Sequence, residues 1–411
     1  MAPKIVVRNL FKVFGTRPAL ALELLTQGKS KDQVFAQTGM LVGVRDANFS
    51  VDEGEIFVLM GLSGSGKSTL IRLLNRLVEP SSGQVLVGGQ DVAAMGKKAL
   101  VALRRRDMAM VFQSFALLPH RSVLDNTAFG LEVSGIGRAA REQRAMQVLE
   151  QVGLSSFARK MPAELSGGMQ QRVGLARALA VDPSLMLMDE AFSALDPLTR
   201  TEMQELLLQL QKEQRRTIVF VSHDLDEAFR IGSRIAIMEG GRIVQVGTPD
   251  EILRNPGDSY VRAFFKGVDV NQYLAATDVA DLTAFPLIQA GPGDASSPAE
   301  LLARLRMSGW THAFVVDAQR RWLGSVTPQS LQRACSAGSP SLQHALLAEP
   351  PVVAATLGMQ ALLGRALGSP VALPVVDGAG VDRGAGSPQS VLQRVAHAPA
   401  AHGGRSAAGG V

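Results

Sequence analysis

Residues 58–75 read VLMGLSGSGKSTLIRLLN, and the fold turns on them. An apolar run of strand length ends at Met60, residues 61–68 match G-x-x-x-x-G-K-[ST], and an apolar pattern with helical spacing follows. That is the order a phosphate-binding loop requires. Gly61, Gly64 and Gly66 free the backbone so that N–H groups can wrap phosphate oxygens; Ser63, Ser65 and Thr69 stand beside them, and the helix N-terminus adds its positive dipole end. In this motif Lys67 reaches the β and γ phosphates and the Ser68 hydroxyl ligates Mg2+.

Outward from the loop, EIFVLM (55–60), MAMVFQ (108–113), SLMLMDE (184–190), TIVFVSH (217–223) and RIAIME (234–239) are apolar runs of strand length. Segments with helical spacing, such as TEMQELLLQLQKEQRR (201–216), separate them. The alternation predicts an α/β domain built on a mostly parallel sheet. Two of these strands carry chemistry at their ends. LMLMDE delivers Asp189 toward a metal ion and leaves Glu190 where it can polarise an attacking water. TIVFVSHD delivers His223, placed to contact a γ-phosphate, although a lone strand-end histidine is more often structural.

Composition narrows the classes. A chain of 411 residues with 46 % hydrophobic content suits two or three domains with real cores. Net charge is +5, but apart from RRR at 104–106 and QRR at 214–216 the basic residues are spread out. Both clusters read as solvated helix faces, and no nucleic-acid partner is expected. The single cysteine, Cys335, excludes an internal disulfide framework and reads as a small buried residue. MAPKIVVRNL lacks the apolar core of a signal peptide, and no run approaches the ~20 apolar residues of a spanning helix. A membrane role would therefore come through a partner.

After NPGDSYVRAFFKGVD (255–269) lysine vanishes and Ala, Gly and Ser rise, so the first domain is read as residues 1–269. Beyond it AFVVD (313–317) aligns with LPVVD (373–377), and GSVTPQSLQ (324–332) with GAGSPQSVL (384–392), at a constant offset of 60 residues. Helical AELLARLR and MQALLGRAL precede the copies. Two related small α/β units within residues 277–396 follow from this repeat. The small, polar tail 397–411 is expected to be disordered.

With these pieces assembled, residues 1–269 closely resemble the ATP-binding subunit of an ABC transporter. LSGGM (165–169) is similar to the family's signature motif, SALD (193–196) to its D-loop, Gln113 in VFQSF to its Q-loop glutamine and His223 to its switch histidine, all in the family order. The resemblance implies a P-loop ATPase domain with a helical subdomain. It also implies ATP and Mg2+ as cofactors, Ser68, Gln113 and Asp189 on the metal, and Glu190, Gln113 and His223 in catalysis. Ser166, Gly167 and Gly168 would serve, with Asp196, the ATP held by a second copy in a head-to-tail homodimer. The family often has tyrosine at the adenine-stacking position; Phe14 in FKVFG fits there, with Phe11 as the competing residue. The fifth signature residue is Met169 rather than glutamine, a change that leaves the Ser166 and Gly168 contacts available.

The segment RPALALELLTQGKSKDQVFAQTGMLVG (17–43) reads as two short helices inserted before the strand DANFSVDEGE. It is similar to the insertion of the subunits that drive glycine betaine, proline and other quaternary-ammonium importers, whose C-terminal tandem CBS domains the repeat also resembles. This implies transmembrane permease subunits, an indirect substrate-binding protein, and a peripheral location on the cytoplasmic face of the bacterial inner membrane. The coupling surface would be FQSFALLPHRSVLDN (112–126), for which a buried helical core is the plainer alternative. Choline, carnitine or amino-acid import is the alternative cargo.

CBS units that bind adenosine ligands commonly carry an acidic residue where this chain has Ser330 and Ser390, and the second copy has VDRGAGS in place of an apolar strand. Nucleotide sensing is therefore discounted there in favour of a packing and regulatory role; the subfamily resemblance implies a response to ionic strength near the membrane, although no polybasic membrane patch is evident. A non-transport ABC ATPase is disfavoured. Only about 100 residues separate Ser68 from Leu165, too few for a long coiled coil, and one cassette is present. With only Trp310 and Trp322, both late in the chain, a betaine-binding aromatic cage is also disfavoured.

Overall fold

Ile56–Met60, Leu185–Asp189 and Thr217–Val221 are buried at every residue, as strands covered on both faces must be. The computed structural model describes residues 3–265, 276–278, 280, 285–290, 297–338, 341–347, 352–369 and 372–386. The chain divides into two compact units, Met1–Ala263 and Phe264–Val411. The sequence boundary at 269, Ser390 and the tail 397–411 lie outside the described residues.

The first unit begins β1 (Pro3–Phe14), α1 (Pro18–Thr26), α2 (Lys31–Thr38), β2 (Leu41–Asp52), β3 (Ile56–Met60), α3 (Lys67–Leu74), β4 (Ser82–Val87) and β5 (Gln90–Asp91). It continues through α4 (Lys97–Asp107), β6 (Met108–Val111), α5 (Val123–Val133), α6 (Arg138–Gln151), α7 (Gly167–Ala180), β7 (Leu185–Asp189) and α8 (Pro197–Gln214). It ends with β8 (Thr217–Val221), α9 (Leu225–Ile231), β9 (Arg234–Glu239), β10 (Arg242–Gly247), α10 (Pro249–Arg254) and α11 (Ser259–Phe264).

One sheet has the order β10-β9-β3-β8-β7-β6. Its pairings are parallel except the β9–β10 hairpin. A second, separate antiparallel sheet has the order β2-β1-β4-β5. The apolar faces of both sheets close on one core, where Ile5, Val44 and Val51 meet Phe57, Leu59 and Leu187 with Leu70 and Leu74 of α3. Across it the Phe49 and Phe57 rings stack 5.2 Å apart. Burial of such side chains contributes roughly 1.5–3 kcal/mol each. Helices α5, α6 and α7 pack on one another.

The two inserted helices form as α1 and α2. A capping box at Ser30 and Gln33 starts α2, and Val34 sinks with Val13, Ala21, Leu25, Met40 and Val42 into a small core of their own.

Four expectations change. The plainer reading of 112–126 as a buried helical core fails: residues 112–122 are non-helical, and α5 begins only at Val123 behind the Ser122 cap. Gln214–Arg216 is not a solvated helix face, because Arg215 adopts left-handed backbone and Arg216 is buried against Asp182 at 2.6 Å. Cys335 is half-buried rather than buried. The fourth change falls in the second unit.

That unit holds β11 (Leu287–Gln289), α12 (Pro298–Ser308), β12 (Ala313–Val316), β13 (Trp322–Val326), α13 (Pro328–Ser336), β14 (Val353–Ala354), α14 (Met359–Leu367), β15 (Leu373–Val376) and β16 (Asp382–Gly386). They form two three-stranded sheets, β11-β12-β13 and β14-β15-β16. VDRGAGS thus contains a strand after all. The Asp377 carboxylate accepts from Ala379 N at 2.9 Å and Val381 N at 3.0 Å, so the turn sets the strand that the side chains alone do not specify. Asp317 holds the first copy's turn in the same way, through Gln319 N and Arg321 N at 2.8 Å. The copies join where Trp322 N donates to Gly380 O and Asp382 N to Arg320 O, both at 2.9 Å.

Candidate nucleotide-binding site

The phosphate-type loop hangs between the C-terminal end of β3 and the start of α3. Gly66 sits at φ 103°, and a Cβ there would collide with the Gly43 carbonyl, so no other residue closes the turn at this point. The Ser65 carbonyl accepts from Gly241 N at 3.0 Å, pinning the loop to the β9–β10 turn. Ser65 Oγ is buried with no hydrogen-bond partner among the described residues. Lys67 is buried, and its Nζ donates to the carbonyls of Gly61 at 2.7 Å and Leu62 at 3.2 Å. Burial lowers its pKa, and the nearby Glu190 and Asp189 charges oppose that shift.

A cleft of ≈ 490 Å³ opens over this loop. Ser63, Gly64, Gly66, Lys67, Ser68 and Thr69 line one side, Phe14, Val42 and Gly43 another, and Glu190 closes the end. Gly61 and Ser65 lie behind the lining, and both are buried. Phe14 is 39 % exposed toward the cleft, whereas Phe11 packs against the core of the inserted helices. The structure therefore separates the two rings that the sequence left open: only Phe14 offers a face to the cleft.

At the end of β7 the chain turns sharply. Asp189 is buried; its Oδ2 accepts from Arg72 at 3.1 Å and its Oδ1 has no partner among the described residues. Glu190 follows in left-handed backbone, φ 48°, an uncommon state for a non-glycine residue. The turn is held by Glu190 N donating to Val221 O at 3.2 Å and by Ser193 Oγ donating to Glu190 O at 3.0 Å. Glu190 Oε2 meets Gln113 Nε2 at 3.4 Å and lies 3.3 Å from His223 Nδ1. Gln113 also donates to Ser193 Oγ at 3.3 Å. Four residues from three parts of the sequence, Gln113, Asp189 with Glu190, and His223, are thus brought to one edge of the sheet. Gln113 and Glu190 reach it because β6 and β7 stop earlier than the apolar runs suggested, at Val111 and Asp189.

Ser166 caps α7, its Oγ accepting from Met169 N at 3.3 Å, and its side chain is exposed. Gly167 rests against Phe115 and Gly168 against Thr199, so closely that a Cβ at Gly168 would strike the Thr199 methyl. Thr199 N in turn donates to Asp196 Oδ1 at 3.1 Å at the start of α8, and hydrogen bonding from the Thr199 side chain, then from its backbone, holds that carboxyl below its usual range. The signature-like loop, the 113–118 segment and the Asp196 turn are therefore packed as one block. None of Ser166, Gly167, Gly168 or Asp196 lines the cleft over Lys67 in the same chain.

Residues 44–193 match the family described as ABC transporter. Over 92 % of this chain and 94 % of its own length, the ProV ATP-binding protein of the glycine betaine/proline betaine transport system of Salmonella typhimurium is 52 % identical. The chain belongs to the ABC transporter ATP-binding proteins. The GbuA glycine betaine/carnitine transport ATP-binding protein of Listeria monocytogenes is 46 % identical over 85 % of this chain and 86 % of its own. A solved dimeric bacterial ABC transporter cassette, MJ0796, superposes with a TM-score of 0.51 at 31 % identity, covering 59 % of this chain and 98 % of that one. This ABC protein therefore binds and hydrolyses ATP.

Some site residues of the ABC protein escaped the sequence reading. Arg72 pairs with Asp189, and the signal was its place four residues after Ser68, on the same face of α3. Ser193 was seen only as part of SALD, yet it holds both Gln113 and the Glu190 turn. Arg200, which binds Asp224 at 2.9 Å and the carbonyls of Ser193 and Leu195, had no distinguishing pattern. Among the described residues no helix is long and apolar enough to cross a membrane.

Proposed function

We propose that this chain is the energy-coupling ATPase subunit of an importer for glycine betaine, proline betaine and related quaternary-ammonium solutes. Two copies close head-to-tail on ATP to drive transmembrane permease subunits served by a substrate-binding protein. The observation that carries this is the 52 % identity to the ProV protein, which extends over 92 % of the chain and so reaches well beyond the first unit. The similarity to the Listeria glycine betaine/carnitine protein keeps carnitine as a second cargo. The subunit works on the cytoplasmic face of the membrane as a peripheral partner of the permease.

In this reading the N–H groups of Gly61–Thr69 and Lys67 Nζ hold the phosphates, Lys67 exchanging its loop carbonyls for phosphate oxygens. The unpartnered, buried Asp189 Oδ1 and the Ser68 hydroxyl are oxygen donors of the kind a hard cation selects, with Gln113 beside them. They would hold Mg2+, which when bound neutralises charge on the β and γ phosphates. Glu190 accepts a proton from the attacking water, its carboxylate oriented by Gln113, and His223 contacts the γ-phosphate. Charge developing in transfer still needs further donors, and Ser166 with Gly167 and Gly168 supplies them to the partner's ATP.

The second unit is read as a CBS-type pair with a packing and regulatory role, responsive to ionic strength rather than to adenosine ligands. Ser330 supports this: its Oγ accepts from Thr327 N at 2.9 Å in a capping box, a structural use of the position.

Mixed dimers of differently tagged Lys67→Ala and Ser166→Ala chains test the sharing. If sites are composed in trans, the mixture holds one intact site and hydrolyses ATP, while each homodimer is inactive. An inactive mixture refutes it, and loss of betaine uptake in cells lacking the gene tests the cargo.

A further inference from the structure

The cleft has a wall that no phosphate-loop reasoning explains. Besides Phe14 and the loop it is lined by Lys31, Asp32, Phe35 and Leu41, contributed by α2 and the first residue of β2. Phe35 is 55 % exposed and Leu41 59 %, two large apolar side chains left in water beside the partly exposed Phe14. Nothing in the packing of α2 requires this. The helix is anchored by Val34 on its buried side, and a capping box fixes its first turn. Lys31 packs over Gly240, in the same β9–β10 turn that hydrogen-bonds the phosphate loop through Gly241. The inserted helix is thus a rigid element held in register with the loop, presenting an aromatic ring and a carboxylate to the cleft.

The phosphates occupy the Gly61–Thr69 end, so the base lies at the Phe14 end, where α2 forms the wall. A carboxylate only accepts hydrogen bonds. Adenine presents an amino group at N6 where guanine presents the O6 acceptor. Resting on the nucleotide site proposed above, we infer that α2 is the base-recognition wall of that site: Phe35 packs on the purine beside Phe14, and Asp32 accepts from the adenine amino group and repels the guanine carbonyl. The insertion then sets the choice of nucleotide.

The test is displacement of a fluorescent ATP analogue from the full-length protein in EDTA, which suppresses hydrolysis, by ATP, GTP and inorganic tripolyphosphate. Asp32→Asn, which is isosteric and can donate to a carbonyl, lowers the ATP-over-GTP preference about tenfold. Phe35→Ala weakens ATP and GTP together about tenfold and leaves tripolyphosphate unchanged. Both side chains are exposed, so neither substitution empties a core, and circular dichroism of each variant checks that the fold is kept. An Asp32→Asn preference within about twofold of the parent removes Asp32 from recognition, and unchanged purine affinity in Phe35→Ala overturns the wall. Lys67→Ala is the separate control: if it leaves ATP binding intact, the nucleotide site itself has been misassigned and the wall has no ligand.

Discussion

The two units treat their polar groups in opposite ways. In the first, the groups around the cleft are left with capacity to spare: Asp189 Oδ1 and Ser65 Oγ are buried without partners, and Glu190 is held in left-handed backbone. In the second, polar groups are consumed by the fold itself. Asp317 and Asp377 each close their own turn, Arg320 pairs with Asp382 at 3.2 Å, and Ser330 caps a helix. Buried polar groups that lack partners destabilise a domain unless a ligand completes them. The cleft of the first unit is therefore arranged to be completed by a ligand, whereas Asp317, Asp377, Asp382 and Ser330 of the second already have partners within the fold. Among the described residues of the second unit the exceptions are His312 Nε2 and Ser325 Oγ, buried and unpartnered.

The largest expected effect breaks the comparison on its first side. Glu190→Gln keeps the shape and the Gln113 contact but removes the proton acceptor, so ATP still binds while steady-state turnover falls about 10²- to 10⁴-fold. Closed dimers should accumulate, visible by size-exclusion chromatography with ATP. Turnover within twofold of the parent would exclude Glu190 as the base. A smaller effect probes the other side. Phe314 is buried against Ala372 and Ala385, with Phe285 and Trp322 packed beside it, at the seam between the repeat copies. Phe314→Ala should cost the second unit about 3 kcal/mol, read from its thermal transition, with ATP affinity unchanged. A matching loss of ATP affinity would show that the cleft depends on this core.

How far the sequence reached follows the same division. The phosphate loop, the Asp189–Glu190 strand end and the inserted helices were legible because each is a local pattern: a motif between strand and helix, an apolar run ending in acids, two short helix-forming stretches. What was missed depends on chain segments meeting at a distance. Phe14 could not be told from Phe11 until the inserted core claimed Phe11, and Arg72 gained meaning only when β7 brought Asp189 beside α3. Segment 381–387 failed for another reason. Its side chains carry no strand signal, because the order comes from the Asp377 turn and the pairing with β15. The 60-residue offset from Trp322–Val326 points to a strand there, although the composition of the segment does not.

The smallest effect concerns one of the two exceptions in the second unit, His312. His312 is 3 % exposed, its ring lies 4.4 Å from that of Phe285 and 5.3 Å from that of Phe314, and Thr311 Oγ1 is 3.0 Å from Nδ1. Burial lowers its pKa, so the folded unit holds the ring neutral while the unfolded chain recovers a value near 6.5. Below that value the unfolded state binds the additional proton. Stability is thus fully present above pH 6.5 and is lost as pH falls from there toward the folded value. Thermal unfolding of the second unit should therefore weaken between pH 7.5 and 5, and His312→Phe, which fills the ring's place without a titratable nitrogen, should flatten that part of the profile. An unaltered slope in His312→Phe would mean that another group carries the dependence and that the buried ring already has a partner for its proton.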